Sequence, residues 1–212
     1  MSNKGKFIVI EGIDGSGKSS VAKALAQKLT EKQALLGQPP CLYEREPYDS
    51  DPAGRLVRAS LSKELVVEPE TMAYLNVASR IEHIKHLQPL LESGHSIVCD
   101  RFYPSNMAYN QTKLLSLEDI YDLNRVCLDM LRPDLILFLD VSVAVSKSRR
   151  QKDEARAEAE LYETDEIQNA VRNRFISVLN FLKDKEKIIH INAEGAFDEV
   201  LDASWNAVST IL

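Results

Sequence analysis

The stretch FIVIEGIDGSGKSS, residues 7–20, decides the reading of this chain. Its first residues are a short apolar run rich in β-branched side chains, the composition of a strand buried on both faces. Three glycines follow within six positions, and then Lys18, Ser19 and Ser20. From Lys18 onward Val21, Ala24, Leu25, Leu29 and Leu36 keep helical spacing until Gly37 and the pair Pro39–Pro40 stop it. The segment is therefore a strand, a glycine-rich loop and a helix in immediate succession.

Gly12, Gly17, Lys18 and Ser19 satisfy G-x-x-x-x-G-K-[ST] in the strand-to-helix context that this pattern requires. Glycines let backbone N–H groups turn inward around phosphate oxygens, and the helix start adds its positive dipole end. The expected ATP-binding set is the whole loop: Gly12, Ile13, Asp14, Gly15, Ser16, Gly17, Lys18, Ser19 and Ser20. Lys18 would reach the β and γ phosphates as a catalytic group, and the Ser19 hydroxyl would ligate Mg²⁺. The acid Asp14 stands oddly inside a loop built for anions.

Outward from this loop, further strands are expected at 41–45, 96–100, 134–141 and 187–192. Helices are expected at 54–63, 69–91, 116–131, 142–152, 163–184 and 196–212, and the proline- and aspartate-rich segment 45–54 reads as a loop. Five apolar strands alternating with helices predict an α/β fold, a five-stranded parallel sheet flanked by helices in three layers. We expect one domain over residues 1–212, with a mobile lid at about 146–163, where the run KSRRQKDEARAEAE is charged and lacks apolar spacing.

Bulk composition agrees with a single domain: 212 residues, 44% apolar. A net charge of −6 argues against a nucleic-acid polymer as partner. No segment approaches a membrane span, and the first apolar run is too short for a signal peptide. Cys41, Cys99 and Cys127 read as buried free thiols of a cytoplasmic protein.

Ligands of parallel sheets bind beyond the carboxyl ends of the strands. Arg45 and Arg101 leave the second and third strands there, and Arg80 lies on the helix at 69–91. Arginine forks hold phosphate bidentately, so this set suits a second, phosphorylated substrate beside the nucleotide. Asp100 and Asp140 each end a strand and could serve the magnesium shell, Asp100 being preferred beside Arg101. D-P-A-G (51–54) fits a D-x-x-G pattern, but no apolar strand precedes it and no N-K-x-D follows, so a small kinase is expected rather than a GTPase. His83 and His86, spaced i, i+3 beside Glu82, read as helix-surface residues without a third metal ligand.

EGIDGSGKSS, REP, ASR, DRFYPSNMAY and PDLILFLDV, in this order across nearly the whole chain, resemble the thymidylate kinases. The resemblance implies a homodimer that transfers the γ phosphate of ATP to dTMP with Mg²⁺. It implies that Asp14 meets the acceptor sugar or the metal, and that Arg45 and Pro47 approach the acceptor phosphate. Arg80 would hydrogen-bond thymine, Arg101 the acceptor phosphate, and Ser105 or Asn106 the pyrimidine edge. Tyr109 would crowd the sugar 2′ position, and Tyr162–Glu163 would lie where the lid meets the next helix. Positions 13–16 hold no basic residue, so the charge in flight would fall to a lid cation: Arg149, Arg150 or Arg156, or Lys152. The chain departs from the family in YDSDPAG after REP, in Asn76 at the usual stacking phenylalanine, and in Glu160–Leu161 at the usual lid arginine. Two alternatives stay open: another deoxynucleotide or nucleoside as acceptor, and a catalytically silent nucleotide-binding protein.

Overall fold

The computed structural model describes residues 4–151 and 164–212. At its centre is β1 (Phe7–Glu11), buried along its whole length. A strand covered on both faces needs no polar alternation, hence the continuous apolar run. On one side β1 pairs in parallel with β3 (Ile97–Asp100), and β3 with β2 (Leu42–Arg45). On the other side it pairs with β4 (Leu135–Asp140), and β4 with β5 (Ile188–Asn192). The order β2-β3-β1-β4-β5 places the strand that feeds the glycine loop in the middle. The chain thus forms the expected parallel sheet flanked by helices.

Helix ends follow local chemistry. α1 (Lys18–Leu35) closes with a Schellman pair, Gln38 N–H to the Gln33 carbonyl and Gly37 N–H to that of Ala34, with Gly37 at φ 65°. α2 (Pro52–Leu61) starts two residues earlier than expected. Asp51 caps it by accepting from Gly54 N–H at 2.9 Å, and Pro52 occupies the first turn, where no donor is missed. α3 (Pro69–Glu92) likewise starts on a proline and ends in a Schellman pair at Gly94.

Two helical features differ from the sequence expectation. α4 (Tyr103–Tyr109) was not foreseen; it is too short to show a periodic pattern. The expected helix at 116–131 is divided into α5 (Leu117–Leu123) and α6 (Arg125–Met130) at Asn124. That asparagine is fully buried, and its carboxamide accepts from Arg80 Nη1 and donates to the Ile120 carbonyl. α7 (Val143–Gln151), α8 (Asp165–Leu182) and α9 (Phe197–Ser209) complete the described helices. Cys41, Cys99 and Cys127 are buried free thiols. Among the described residues no helix is long and apolar enough to cross a membrane.

Candidate active site

β1 delivers the glycine loop to the carboxyl edge of the sheet. Gly15 (φ 78°) lies so close to α7 that a Cβ there would sit 2.6 Å from the Ser146 carbonyl and 2.8 Å from Arg150 Cγ. Gly17 (φ 90°) turns the chain into α1. Lys18 is buried, and its ammonium donates to the Ile13 carbonyl at 2.8 Å across the mouth of the loop. Burial, with Arg101 nearby, lowers its pKa to about 8 against the pull of Asp14, Asp100 and Glu11. The Ser16 hydroxyl is buried there without a hydrogen-bond partner.

The metal expectation can be tested on the same loop. Ser19 Oγ donates to Asp100 Oδ2, while Asp100 Oδ1 is buried without a hydrogen-bond partner. A hydroxyl and an unsatisfied carboxylate oxygen beside a phosphate cradle are the donor set a hard, oxygen-seeking cation takes. Asp140, the other strand-end acid, is engaged by Arg172 at 2.8 and 3.1 Å.

On one side of the loop lies a cavity of about 500 Å³. Five basic residues line it: Lys18, Lys23, Arg45, Arg58 and Arg101, against the acids Asp14, Glu46 and Asp100. The two strand-exit arginines therefore meet in one space. Arg45 pairs with Asp49 at 2.8 Å, and Arg101 pairs with Asp14. Burial alone would raise the Asp14 pKa, but Arg101, Lys18 and the Tyr109 hydroxyl hold its carboxyl well below the usual carboxylate range. Asp14 is thus less odd than it looks in the sequence: it is the counter-charge of Arg101. Arg101 also donates to Ser105 Oγ at 3.0 Å and lies over the Tyr109 ring at 5.2 Å.

Sequence reasoning missed Arg58 and Glu11. Arg58 stands on α2, and its Nη2 donates to the Pro47 carbonyl at 3.3 Å, beside the cis Glu46–Pro47 bond. Its Nε is buried with no hydrogen-bond partner. Only the fold-back of α2 onto α3 brings it to the cavity; Ser79 donating to Asp51 at 3.0 Å is part of that contact. Glu11, the last residue of β1, is fully buried, and burial raises its pKa to about 7 despite Arg101, hydrogen bonds from Ser105 and Phe102, and Lys18.

Several expected site residues are placed elsewhere. Arg80, expected to face the cleft, is fully buried: its guanidinium engages Glu46 (Nε to Oε2 2.9 Å) and Asn124, with Phe102 beneath it at 5.1 Å. Glu46 lines the cavity, and Arg80 stands one residue behind it. Ser105 bridges Arg101 and Glu11, and Asn106 donates to the Ala73 carbonyl and accepts from Asn110. Neither lines the cavity. Asn76 donates to the Met72 carbonyl one turn back. His83 corrects the expectation of a surface histidine. It is fully buried between Glu44 and Glu46, 3.4 Å from each, and stacks on Tyr48 at 4.6 Å. Among the described residues no group of three His, Cys, Asp or Glu is arranged to hold a metal. Tyr162, Glu163, Lys152, Arg156, Glu160 and Leu161, with most of the expected lid, lie outside the described residues.

On the other side of the loop is a second cavity of about 380 Å³. Gly15, Gly17 and Ser20 line both cavities; Arg149 and Arg150 of α7 and Phe197 and Val200 of α9 line this one. Arg149 is held by the Gly195 carbonyl at 2.8 Å, and Arg150 is buried against Gly15.

A five-stranded parallel sheet with this loop at its centre and a cavity on either side defines a P-loop kinase of the small, two-substrate kind. A family model described as thymidylate kinase matches residues 10–203. The thymidylate kinase of Mycoplasmoides gallisepticum is 35% identical, covering 97% of this chain and 95% of its own. Those of Limosilactobacillus fermentum (34%; 96% and 94%) and Ureaplasma parvum (33%; 93% and 86%) are similar over nearly the same span. This chain belongs to the thymidylate kinase family.

Proposed function

We infer that the chain transfers the γ-phosphoryl group of ATP to dTMP, giving dTDP and ADP. The observation that carries this reading is the pair of cavities sharing the residues of one phosphate loop, the larger of them ringed by five basic residues. Such a site lets two polyanions meet with their reacting oxygens in line, which is most of what phosphoryl transfer asks of a protein.

Donor and acceptor take opposite sides. The donor base sits in the smaller cavity against Val21, Phe197 and Val200 with Arg149 across from them. Its phosphates lie in the loop over residues 12–20, with Lys18 turning from the Ile13 carbonyl to the β and γ oxygens. Ser19 and Asp100 are the residues that would hold Mg²⁺, which supplies neutralisation of the donor phosphates when bound. The dTMP phosphate is held by Arg45, Arg58 and Arg101. It enters already anionic and needs no strong base, so these arginines act by offsetting repulsion. Asp14 keeps the Arg101 guanidinium in plane and, with Tyr109, faces the sugar. The base takes the Glu46 side of the cavity, where Arg80 holds that carboxylate from behind. Arg150, against Gly15, takes up charge developing between the substrates, beside Lys18.

The wider reading is a single domain working as a homodimer in the cytoplasm. Three buried free thiols support a reducing compartment. Half-exposed Tyr74 on α3 and Val126 on α6 are apolar surface that a second copy would cover. The test of the reaction is a coupled ATP-consumption assay over a panel of nucleoside monophosphates and nucleosides. dTMP is expected to give the highest kcat/KM. An acceptor better by tenfold would overturn the substrate, and ATP binding without stimulated turnover by any acceptor would overturn the activity.

A further inference from the structure

Glu11 is a fully buried carboxylate that none of the roles above uses. Such groups are rare without hydrogen-bonded partners. Its partners are all donors from the entrance of α4. Oε1 accepts from Phe102 N–H at 2.9 Å and from Ser105 N–H at 3.2 Å, and Oε2 accepts from the Ser105 hydroxyl at 2.6 Å. α4 has no side-chain cap of its own, and Pro104 in its first turn has no N–H to give. Glu11 therefore does from another strand what a serine or aspartate usually does next to a helix start.

The effect falls on Arg101, one residue before that start. Arg101 has φ 73°, a backbone region that a side chain with a Cβ rarely adopts and that surrounding contacts must hold. On its amino side its N–H bonds the Ile10 carbonyl at 3.0 Å; on its carboxyl side the next residue, Phe102, is tied to Glu11. The turn is thus pinned at both ends by neighbouring residues of β1. A second link runs through side chains. Ser105 has one hydroxyl proton. When that proton points to Glu11, the Ser105 oxygen is left to accept from Arg101 Nη1 at 3.0 Å.

We propose that Glu11 is a positioning residue for the acceptor phosphate: by holding the Phe102 and Ser105 amides and the Ser105 hydroxyl proton, it fixes the turn and the guanidinium plane of Arg101. The proposal rests on the reading of Arg101 as an acceptor-phosphate ligand. Glutamine at position 11 keeps the size and one oxygen for the amides, but its NH₂ faces Ser105 Oγ as a donor. The Ser105 oxygen then accepts from position 11 as well as from Arg101, and its proton, no longer drawn to a carboxylate, loses the fixed direction that leaves the oxygen open to Arg101.

The experiment is steady-state kinetics on Glu11→Gln, Ser105→Ala, their double variant and Arg101→Ala, with ATP and dTMP varied separately. Glu11→Gln is expected to lower kcat/KM for dTMP at least tenfold and to change KM for ATP less than twofold. Ser105→Ala should lose part of the same dTMP term, and adding Glu11→Gln to it should cost under threefold more, because both act through one hydroxyl. Parallel losses on both substrates, a dTMP change under threefold, or full additivity in the double variant would each overturn the proposal. Arg101→Ala separates the two readings. If it leaves dTMP kinetics intact, the acceptor role of Arg101 falls; if it is damaging while Glu11→Gln is silent, only the Glu11 inference falls. Should Glu11→Gln not fold, Ser105→Ala carries the test, since it leaves the carboxylate and both amide bonds in place; an unchanged dTMP term there overturns the proposal.

Discussion

The two sides of the phosphate loop are built by different means. On the side proposed for the donor one contiguous stretch, residues 12–20, supplies backbone N–H groups, a helix start and the glycines that let the chain turn, at φ 151°, 78° and 90°. On the side proposed for the acceptor the cations come from separate elements: Arg45 from the end of β2, Arg58 from α2, and Arg101 from the end of β3. Asp49 steadies Arg45 and lies 3.7 Å from Arg58, which also donates to the Pro47 carbonyl, while Asp14 and Ser105 hold Arg101. A backbone-coded site stands or falls as a unit. A side-chain-coded site can lose one member at a time, and each loss should speak to the acceptor alone.

That contrast can be broken by two substitutions of unequal size. Arg101→Ala is expected to have the larger effect, lowering kcat/KM for dTMP by at least about a hundredfold, the scale for removing a preorganised charge from the reacting centre. A change under threefold would remove Arg101 from the site. Arg58→Ala should act about tenfold, mainly as a higher KM for dTMP. Arg58 is partly engaged already, by the Pro47 carbonyl at Nη2 and by Asp49, 3.7 Å from its Nε. KM for ATP should stay within twofold. If it rises in step with that for dTMP, the two cavities are not separable and the comparison fails.

The same contrast explains what could be read from the sequence. The five strands and the phosphate loop were legible because each is decided within a few consecutive residues: an apolar run, glycines at fixed spacing, a lysine at a helix start. Arg45 and Arg101 were legible because they leave strands at the edge where parallel sheets bind ligands. Arg58 was not, since its place depends on α2 folding back against α3 through Asp51 and Ser79. α4 was not, since its cap is Glu11, 91 residues away from Phe102 in the chain. Arg80 and His83 were misjudged for a related reason. On a helix wheel both look free to face solvent or a cleft, but Glu44 and Glu46 reach over from β2 and its exit loop to hold them in the interior. Local chemistry was visible, and long-range pairing of charged groups was not.

A further effect is one of stability, and it separates a positioning role from a structural one. Glu11 has a folded pKa raised from 4.5 to about 7, set by burial and only partly offset by Arg101, the Ser105 and Phe102 hydrogen bonds and Lys18. Between those two values the folded state holds more protons than the unfolded one, so this group favours the fold most below pH 4.5 and loses that contribution as pH rises through about 7. The slope from one such group is at most about 1.4 kcal/mol per pH unit. Glu11→Gln removes it. The variant should therefore be at least as stable as the parent in denaturant unfolding at pH 8, with the difference moving toward the parent as the pH falls to 5. A variant that is as stable as the parent at pH 8 yet poorer with dTMP at the same pH would show Glu11 retained for where it holds Arg101 and not for holding the fold. A difference independent of pH would mean that Glu11 does not titrate between folded and unfolded states in this range.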